Sequence, residues 1–334
     1  GTLIDPFNGL EDLNNKIIKT PLNPNKTFSD DPLRMFRAIR FANQLGFIIE
    51  TETLKAIKDN SERITILSKE RMLDEFEKIL LSEKPSIGLN LLYKTGILKL
   101  YFKEFYELQG VETINNHSHK DNFFHTLEVI DNVRKKSSNK WLLWAALLHD
   151  IAKPKTKRYS EKEGWTFHGH EYLGSKMVPI IFNKLKLPLN ENMKYVQKLV
   201  LLHLRLIPLT KKNVTDSAYR RILYEAGNDI DDLYILCEAD ITSKNEEKVS
   251  RYLKNLKYVK NKIEEIEKND NLKNFQPPVD GKMIMKKFKL KPSKLVGEIK
   301  VQIREAILNG EIKNNKEDAE KLMNKIGEKL KLNK

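Results

Sequence analysis

Apolar residues recur at helical spacing along most of this chain, and little of it shows the alternating pattern typical of strands. Amphipathic helical patterns fill residues 50–108 and return from 123 to 245. An interruption at 154–169 predicts a loop or small hairpin. A long charged helix is predicted over 246–268, and a further helical module over 279–334. The pattern therefore predicts an all-α protein.

Turn-forming residues divide these helical patterns. Breaks are expected at Pro85, Gly88 and Gly96, because glycine and proline interrupt regular structure. The polar stretch 109–122 is rich in Asn and His and is expected to be a loop, and the Pro-Pro pair at 277–278 is expected to end a linker.

The clearest helix signal lies at residues 30–47. Asp30 or Asp31 can cap this helix, Pro32 suits its first turn, and Gly46 is a suitable residue for its end. Apolar residues at helical spacing predict one buried side. That side is expected to contain Leu33, Phe36, Ile39, Phe41, Ala42 and Leu45.

Three arginines share one side of this helix, because Arg34, Arg37 and Arg40 are spaced by three residues. Asp31 and Arg34 are also three apart, so a carboxylate and a guanidinium lie one above the other. The simple interpretation is a local ion pair, which is common and weak. The alternative is a set of donors and acceptors that matches the Watson–Crick edge of a nucleotide base.

All seven histidines fall between residues 117 and 203. The apolar run 141–148 leads directly into His149 and Asp150. Burying an imidazole and a carboxylate there is costly unless they are paired or bind a metal. Imidazole and carboxylate together form a suitable ligand set for a divalent metal. Core histidines that only hydrogen-bond the backbone are the simpler alternative.

Composition narrows the class of protein. The chain is 40% apolar and 32% charged, which is typical of a helix-rich folded protein. Cys237 is the only cysteine, so an intramolecular disulfide and a cysteine-rich zinc site are excluded. The sequence contains no run of about 18 apolar residues that would predict a membrane helix, so no membrane association is expected. A cytoplasmic location is expected instead.

The positive charge is concentrated near the end of the sequence. The net charge is +14, and residues 241–334 hold 24 Lys and Arg against 14 Asp and Glu. A localised basic segment is the electrostatic footprint expected for nucleic-acid binding. A lysine-rich solvated surface is the alternative explanation.

Three segments resemble, in the right order, class II tRNA nucleotidyltransferases (the CCA-adding enzymes) and the related bacterial poly(A) polymerases. Residues 30–47 resemble the neck motif of that family, and residues 4–13 resemble the end of its head domain. Residues 70–80 resemble the helix that braces the base-reading pair. The bracing residues would be Glu70, Arg71 and Glu75.

The resemblance implies that Asp31 and Arg34 read the base of an incoming CTP or ATP. Asp30 stands where the family usually has Glu. Arg37 and Arg40 are predicted to help bind the nucleotide because they share that side of the helix. The implied partner is tRNA.

The family's catalytic carboxylates, which follow a Gly-rich turn in an Asp-x-Asp strand, have no counterpart that we identify in this sequence. Two-metal phosphoryl transfer needs such carboxylates to hold Mg²⁺. Residues 1–24 are therefore expected to be a remnant of the catalytic head. The 334-residue chain alone is expected not to add nucleotides.

A second resemblance covers the histidines. The order of a His, a His-Asp pair and a distant Asp resembles the HD phosphohydrolase superfamily, whose domains are helical and bind one or two divalent metals. The metals implied are Mn²⁺, Ni²⁺, Fe²⁺ or Mg²⁺. His168 could substitute for His170, whereas His117 and His119 are given no role. The ligands implied are His125, His149, Asp150 and Asp240, with His170 and His203 as extra ligands for a second ion.

The predicted architecture is elongated and has four segments. They are a head remnant at 1–24, a neck and body that binds nucleotide bases and RNA at 25–108, an HD domain at 109–245, and a basic helical tail that binds tRNA at 246–334. Lys153 could contact a phosphate, but a solvent-facing lysine is the simpler interpretation.

The leading functional prediction is a tRNA 3′-end nucleotidyltransferase that adds CCA from CTP and ATP. The alternative is a metal-dependent HD phosphohydrolase acting on 2′,3′-cyclic phosphates or nucleotides, and an RNA-binding adaptor without activity is a third possibility. The sequence leaves open the choice among CCA, A-only and poly(A) addition, as well as the oligomeric state.

Overall fold

The computed structural model describes residues 1–114, 117–118, 121–211, 213–243, 245–270, 272 and 278–332, with the backbone only at 117–118. Helices account for 68% of the chain and strands for 4%, which confirms the predicted all-α class. Pro277 lies outside the described residues. Among the described residues, no helix combines the length and apolar character needed to cross a membrane.

The helices of the described residues follow one another along the chain. They are α1 (Gly9–Asn14), α2 (Pro24–Asp30), α3 (Leu33–Leu45), α4 (Thr51–Asp59), α5 (Lys69–Leu80), α6 (Pro85–Lys94), α7 (Ile97–Tyr101), α8 (Lys103–Tyr106), α9 (Asn122–Arg134), α10 (Lys140–Leu148), α11 (Lys153–Thr156), α12 (His170–Leu185), α13 (Glu191–Leu202), α14 (Asp216–Ala226), α15 (Ile230–Ala239), α16 (Glu246–Asp270), α17 (Gly281–Phe288), α18 (Lys294–Asn309) and α19 (Lys316–Lys329). Short 3₁₀ helices span Ser61–Ile66, Pro208–Thr210 and Gly227–Asp229.

The strands form three two-stranded sheets in the described part of the chain. In the first, β1 (Ile17–Ile18) runs parallel to β2 (Ile48–Ile49), with Ile17 opposite Ile48. The other two are antiparallel hairpins, β3 (Thr113–Ile114) with β4 (His117–Ser118), and β5 (Arg158–Ser160) with β6 (Gly164–Thr166). The last hairpin confirms the interruption predicted at 154–169.

The chain divides into two compact units. The first contains Gly1–His203 and Ile235–Lys244, and the second contains Leu204–Tyr234 and Asn245–Lys334. The long charged helix and the final helical module predicted from the sequence are α16 and α17 to α19. In the second unit, α14 packs against both α16 and α18, and apolar residues such as Ile222, Val259 and Ile303 are buried.

The neck helix α3 ends where the sequence predicts, with Gly46 in the left-handed conformation at φ 67°. Its buried side differs from the prediction at two positions. Leu45 is exposed, and Phe41 is only half-buried, under the guanidinium of Arg40 at 4.0 Å from the ring centroid. Met35 and Ala38 are buried instead, because the covered face extends further around the helix than one stripe.

Gly88 was predicted to break a helix, and that prediction is wrong because Gly88 lies inside α6. A Cβ added at Gly88 would lie 2.5 Å from Ile79 Cγ2, so glycine is needed for close packing between helices. The Gly88 N–H donates to Asn43 Oδ1 at 3.2 Å, and Asn43 Nδ2 donates to Ser82 Oγ at 2.6 Å. This buried polar contact fixes the spacing of α3, α5 and α6.

An aromatic core connects the neck helix to the helix that carries the His-Asp pair. Tyr101 packs against Phe36 and Phe76 with ring centroids 5.6 and 5.4 Å away, and Phe76 packs against Trp144 on α10 at 5.6 Å. The Trp144 indole N–H donates to Glu77 Oε1 at 3.2 Å. Buried aromatic side chains dominate core energetics, so this cluster ties α3, α5, α7 and α10 into one unit.

Candidate functional site

Six of the histidines and aspartates predicted as ligands converge in the first unit. One group contains His125, His149 and Asp240, and the other contains Asp150, His170 and His203. We call these the first and second clusters. Within each cluster the ligand atoms all lie within 4.8 Å of one another. The structure therefore brings together the six side chains that the resemblance to the HD superfamily implies as ligands, and their metal binding stays a prediction.

Helix ends position most of these side chains. His149 follows α10, His170 begins α12, His203 follows α13, and Asp240 follows α15. The exception is His125, which lies inside α9. Helix ends leave backbone groups without partners inside the helix, so a ligand there can use a nearby carbonyl as support.

Asp150 connects the two clusters because its oxygens face different histidines. Asp150 Oδ1 lies 3.2 Å from His170 Nε2 and 3.9 Å from His203 Nε2. Asp150 Oδ2 lies 3.2 Å from His149 Nε2 and 3.6 Å from His125 Nε2. One carboxylate can therefore contribute to both clusters.

Asp240 completes the first cluster from the far end of the HD segment. Its Oδ1 lies 2.8 Å from His125 Nε2 and 3.6 Å from His149 Nε2. His170 Nε2 and His203 Nε2, in the second cluster, are 3.3 Å apart. All four histidines therefore turn the same ring nitrogen toward the carboxylates.

The other ring nitrogen of three histidines is fixed by the backbone. Nδ1 lies 2.7 Å from the carbonyl three residues earlier in each case, which is Ala146 for His149, Phe167 for His170 and Val200 for His203. A carbonyl can only accept, so Nδ1 carries a proton in each case, and Nε2 is the nitrogen that offers a lone pair to a metal once it has lost its own proton. Metal-ligating histidines have this arrangement.

His125 is supported differently, because its Nδ1 lies 2.8 Å from Thr242 Oγ1. Thr242 follows Asp240 by two residues, so the segment that supplies one ligand of the first cluster also orients another. Sequence reasoning missed Thr242. The only signal available was its place just after the predicted Asp240.

Burial and charge act against each other in the two clusters. Burial lowers the pKa of His149, but the carboxylates of Asp150 and Asp240 outweigh it and raise that pKa to about 10. Burial raises the pKa of Asp150, but His149 and Lys153 hold it well below its usual range. The pKa of His203 is lowered to about 4, by burial and by the charge of His149. The site therefore stabilises buried carboxylates through nearby positive charge.

The donor set fits a divalent metal. His149 Nε2 is buried and has no hydrogen-bond partner of suitable geometry among the described residues. Asp150 Oδ2 is buried as well, and the Lys153 ammonium pairs with it at 2.6 Å without a hydrogen bond of suitable geometry. Buried polar atoms normally have hydrogen-bond partners, so these two atoms, which face each other at 3.2 Å among imidazole nitrogens, indicate ligands. These observations favour metal binding over the alternative of purely structural histidines.

Four further residues differ from their predicted interpretation or stay without a role. Lys153 is not solvent-facing, because its Nζ lies 2.6 Å from Asp150 Oδ2. His168 does not substitute for His170, since its side chain is 84% exposed and lies near Glu163. His119 lies outside the described residues, and only the backbone of His117 is described.

The neck places Asp31 at the start of α3. Asp31 Oδ1 accepts from the Leu33 N–H at 3.1 Å, and Asp31 Oδ2 lies 3.8 Å from Arg34 Nε. The Arg34 side chain is 51% exposed and that of Asp31 is 34% exposed. The pair is therefore held at the helix start with polar groups still accessible.

Arg37 and Arg40 have different surroundings. Arg37 is exposed, whereas Arg40 Nε donates to Glu75 Oε2 at 2.6 Å with both side chains largely buried. Glu75 therefore contacts the arginine side of α3, and it does so through Arg40. The nucleotide-binding roles of Asp31, Arg34, Arg37 and Arg40 stay predictions.

Two protein-family models match the chain. Residues 46–108 match the probable RNA- and SrmB-binding site of polymerase A, and residues 122–245 match the HD domain. The A-adding tRNA nucleotidyltransferase of Deinococcus radiodurans is 30% identical over 325 residues, which cover 93% of this chain and 71% of that protein. The Multifunctional CCA protein of Shewanella frigidimarina is 37% identical over 188 residues, or 54% of this chain and 43% of that protein.

Solved structures share the fold. The Bacillus stearothermophilus CCA-adding enzyme in complex with CTP superposes with a TM-score of 0.59 at 24% identity, covering 99% of this chain and 71% of that chain. The Thermotoga maritima CCA-adding enzyme complexed with tRNA gives a TM-score of 0.50 at 17% identity, covering 97% and 67%. The long match to the Deinococcus protein, with the neck and HD features described above, shows that this chain belongs to the class II tRNA nucleotidyltransferases, an enzyme family, and carries an HD domain.

Proposed function

We propose that this chain selects the nucleotide and holds the tRNA for a tRNA 3′-end nucleotidyltransferase that adds CCA from CTP and ATP. The observation that carries this proposal is the Asp31–Arg34 pair at the start of α3. Relatives of the chain include proteins named for A addition and for CCA, so the number of nucleotides added is part of the proposal. A cytoplasmic location is proposed with it.

The neck pair suits the Watson–Crick edges of both nucleotides. Cytosine and adenine each present an amino group that donates and a ring nitrogen that accepts. The Asp31 carboxylate can accept from the amino group, and the Arg34 guanidinium can donate to the ring nitrogen. Because the Leu33 N–H holds Asp31 Oδ1 and Glu75 holds Arg40, the pair rests on a rigid helix.

Removing both members of the pair should abolish base recognition. We expect Asp31→Ala combined with Arg34→Ala to weaken CTP and ATP binding at least tenfold, because hydrogen bonds to charged groups contribute about 1.5–3 kcal/mol each. Isothermal titration of the purified chain measures this. We identify no catalytic carboxylates in the 334 residues, so we expect no nucleotide addition by this chain. Nucleotide binding is therefore measured instead of activity.

The matched control is Glu52→Ala combined with Lys55→Ala, which removes an exposed acid and base three apart on α4. This control should leave both affinities unchanged. If the neck double variant binds CTP and ATP as tightly as the native chain binds them, the pair is not a base template.

A row of cations that winds around half the circumference of α16, here called the basic stripe, supports tRNA as the partner. Its cations recur every three residues, are exposed, and have no acidic partner within 4 Å among the described residues. Tyr252 and Tyr258 are exposed beside them. Regularly spaced cations with aromatic rings suit phosphates and unstacked bases. The stripe consists of Lys248, Arg251, Lys254 and Lys257.

Neutralising two of these cations should weaken tRNA binding in a salt-dependent way. We expect Lys254→Ala combined with Lys257→Ala to lower the slope of log affinity against log salt by roughly two, one for each lost phosphate contact. Filter binding over a salt series measures it. Lys176→Ala with Lys194→Ala removes two exposed lysines of the HD domain and should keep the native slope. A native slope in the α16 variant would exclude the basic stripe as a contact surface for tRNA phosphates.

We propose a second function for the two clusters, a metal-dependent phosphohydrolase acting on 2′,3′-cyclic phosphates at RNA ends or on nucleotides. The specific observation is that Asp150 faces both clusters. The four histidines and two aspartates would hold the metal, which when bound lowers the pKa of water and holds a phosphate oxygen. The backbone carbonyls and Thr242 keep the imidazole lone pairs turned inward.

This second function depends on His149. Hydrolysis of a 2′,3′-cyclic nucleotide to the ring-opened nucleoside monophosphate with Mn²⁺ or Ni²⁺ should fall more than a hundredfold in His149→Ala, because a ligand of the first cluster is lost. His168→Ala removes an exposed histidine and should keep native activity. Full hydrolytic activity in His149→Ala would contradict the ligand assignment. A native chain that binds tRNA but shows neither nucleotide binding nor phosphohydrolase activity would indicate an RNA-binding adaptor.

A further inference from the structure

The side chain of Lys153 points back toward the pair formed by His149 and Asp150, which precede it in the sequence. Its backbone N–H donates to the Asp150 carbonyl at 2.9 Å, which forms a tight turn after α10. The turn brings Lys153 Nζ to 2.6 Å from Asp150 Oδ2, and only 19% of the lysine side chain is exposed. The ammonium is therefore part of the cluster rather than of the surface.

An aromatic ring flanks the ammonium as well. Lys153 Nζ lies 5.6 Å from the centroid of the Phe167 ring, within the range of a cation–π contact. Phe167 also supplies the carbonyl that holds His170 Nδ1. The lysine is thus confined between a ligand carboxylate and a residue that supports another ligand.

The oxygen of Asp150 that Lys153 approaches is the one that faces the first cluster. Asp150 Oδ2 also lies 3.2 Å from His149 Nε2 and 3.6 Å from His125 Nε2. A divalent ion held by those two nitrogens and Asp150 Oδ2 would need the same oxygen that the ammonium uses. Two cations at one carboxylate oxygen repel each other strongly in a buried setting.

The second cluster lacks this competitor, because it meets Asp150 through Oδ1. We propose that Lys153 competes with a divalent metal for Asp150 Oδ2, so that the first cluster binds its ion more weakly than the second. This inference rests on the proposed metal-binding function of the clusters. It assigns Lys153 as a positioning residue that sets metal affinity.

Metal titration of the full chain tests the proposal. The chain is stripped with EDTA, and Mn²⁺ binding is followed by calorimetry and by the electron paramagnetic resonance of free Mn²⁺. The weaker of the two Mn²⁺ binding events of the native chain should become at least tenfold tighter in Lys153→Met. Lys153→Arg keeps the charge and should stay within threefold, as should Lys155→Met, which removes an exposed lysine of α11.

A second measurement separates competition from a loss of structure. Without metal, Lys153→Met should have a lower thermal midpoint than the native chain, because Asp150 loses a counter-charge. On addition of Mn²⁺ it should gain more in midpoint than the native chain gains. Lys153→Gln is prepared in parallel and should behave in the same way, so that one poorly folded variant does not decide the outcome.

Single-cluster backgrounds show where the effect lies. His203→Ala weakens the second cluster, and there Lys153→Met should still tighten Mn²⁺ binding. His125→Ala weakens the first cluster, and there the gain should disappear. A gain that persists in His125→Ala and is lost in His203→Ala would overturn the assignment to the first cluster.

The failures of the two ideas are distinguishable. Mn²⁺ binding by the native chain with equal or weaker binding in Lys153→Met and Lys153→Gln would overturn the competition and leave the metal site intact. Absence of Mn²⁺ binding in the native chain and in every variant would overturn the metal-binding function, and the role of Lys153 with it.

Discussion

The buried carboxylate of Asp150 is the constraint on which the centre of the first unit depends. A charge in that position is tolerated only when opposite charges and donors surround it, because desolvation is costly. His149, His170 and Lys153 all approach its two oxygens. His149 and Lys153 come from the turn between α10 and α11, whereas His170 comes from the start of α12, so these helix ends must meet at this point.

Apolar packing brings those ends together. The α10 residues 142–148 are buried on all sides, and the aromatic cluster extends from Trp144 to the neck helix through Phe76 and Tyr101. The same core therefore supports the Asp31–Arg34 pair and the histidine clusters. A substitution in it should affect nucleotide and metal binding together, even though the two sets of residues do not touch in the contacts described.

Local signals predicted much of this structure. The six metal-ligand candidates were implied by the resemblance to the HD superfamily. The neck helix, its Gly46 terminus, the hairpin at 158–166 and the charged helix α16 follow from periodicity, turn residues and residue type. These signals work because each depends on neighbours within a few positions along the chain.

The features that were missed depend on distant neighbours. Gly88 breaks helices by propensity, but here it lies in α6 because Ile79 and Asn43 pack against it. Leu45 has the right period for burial, yet nothing covers it. The ion pair of Lys153 depends on a turn whose shape the sequence does not reveal, and the parallel pairing of β1 with β2 joins segments 31 positions apart.

Sharing of one carboxylate by two clusters is the central claim, and Asp150→Asn tests it most directly. This change removes the charge and keeps the shape, and Mn²⁺ bound per chain is counted in parallel with Asp240→Asn, which alters the first cluster alone. The account predicts that Asp150→Asn releases Mn²⁺ from both clusters, whereas Asp240→Asn spares the second. Retention of Mn²⁺ at either cluster in Asp150→Asn would contradict it.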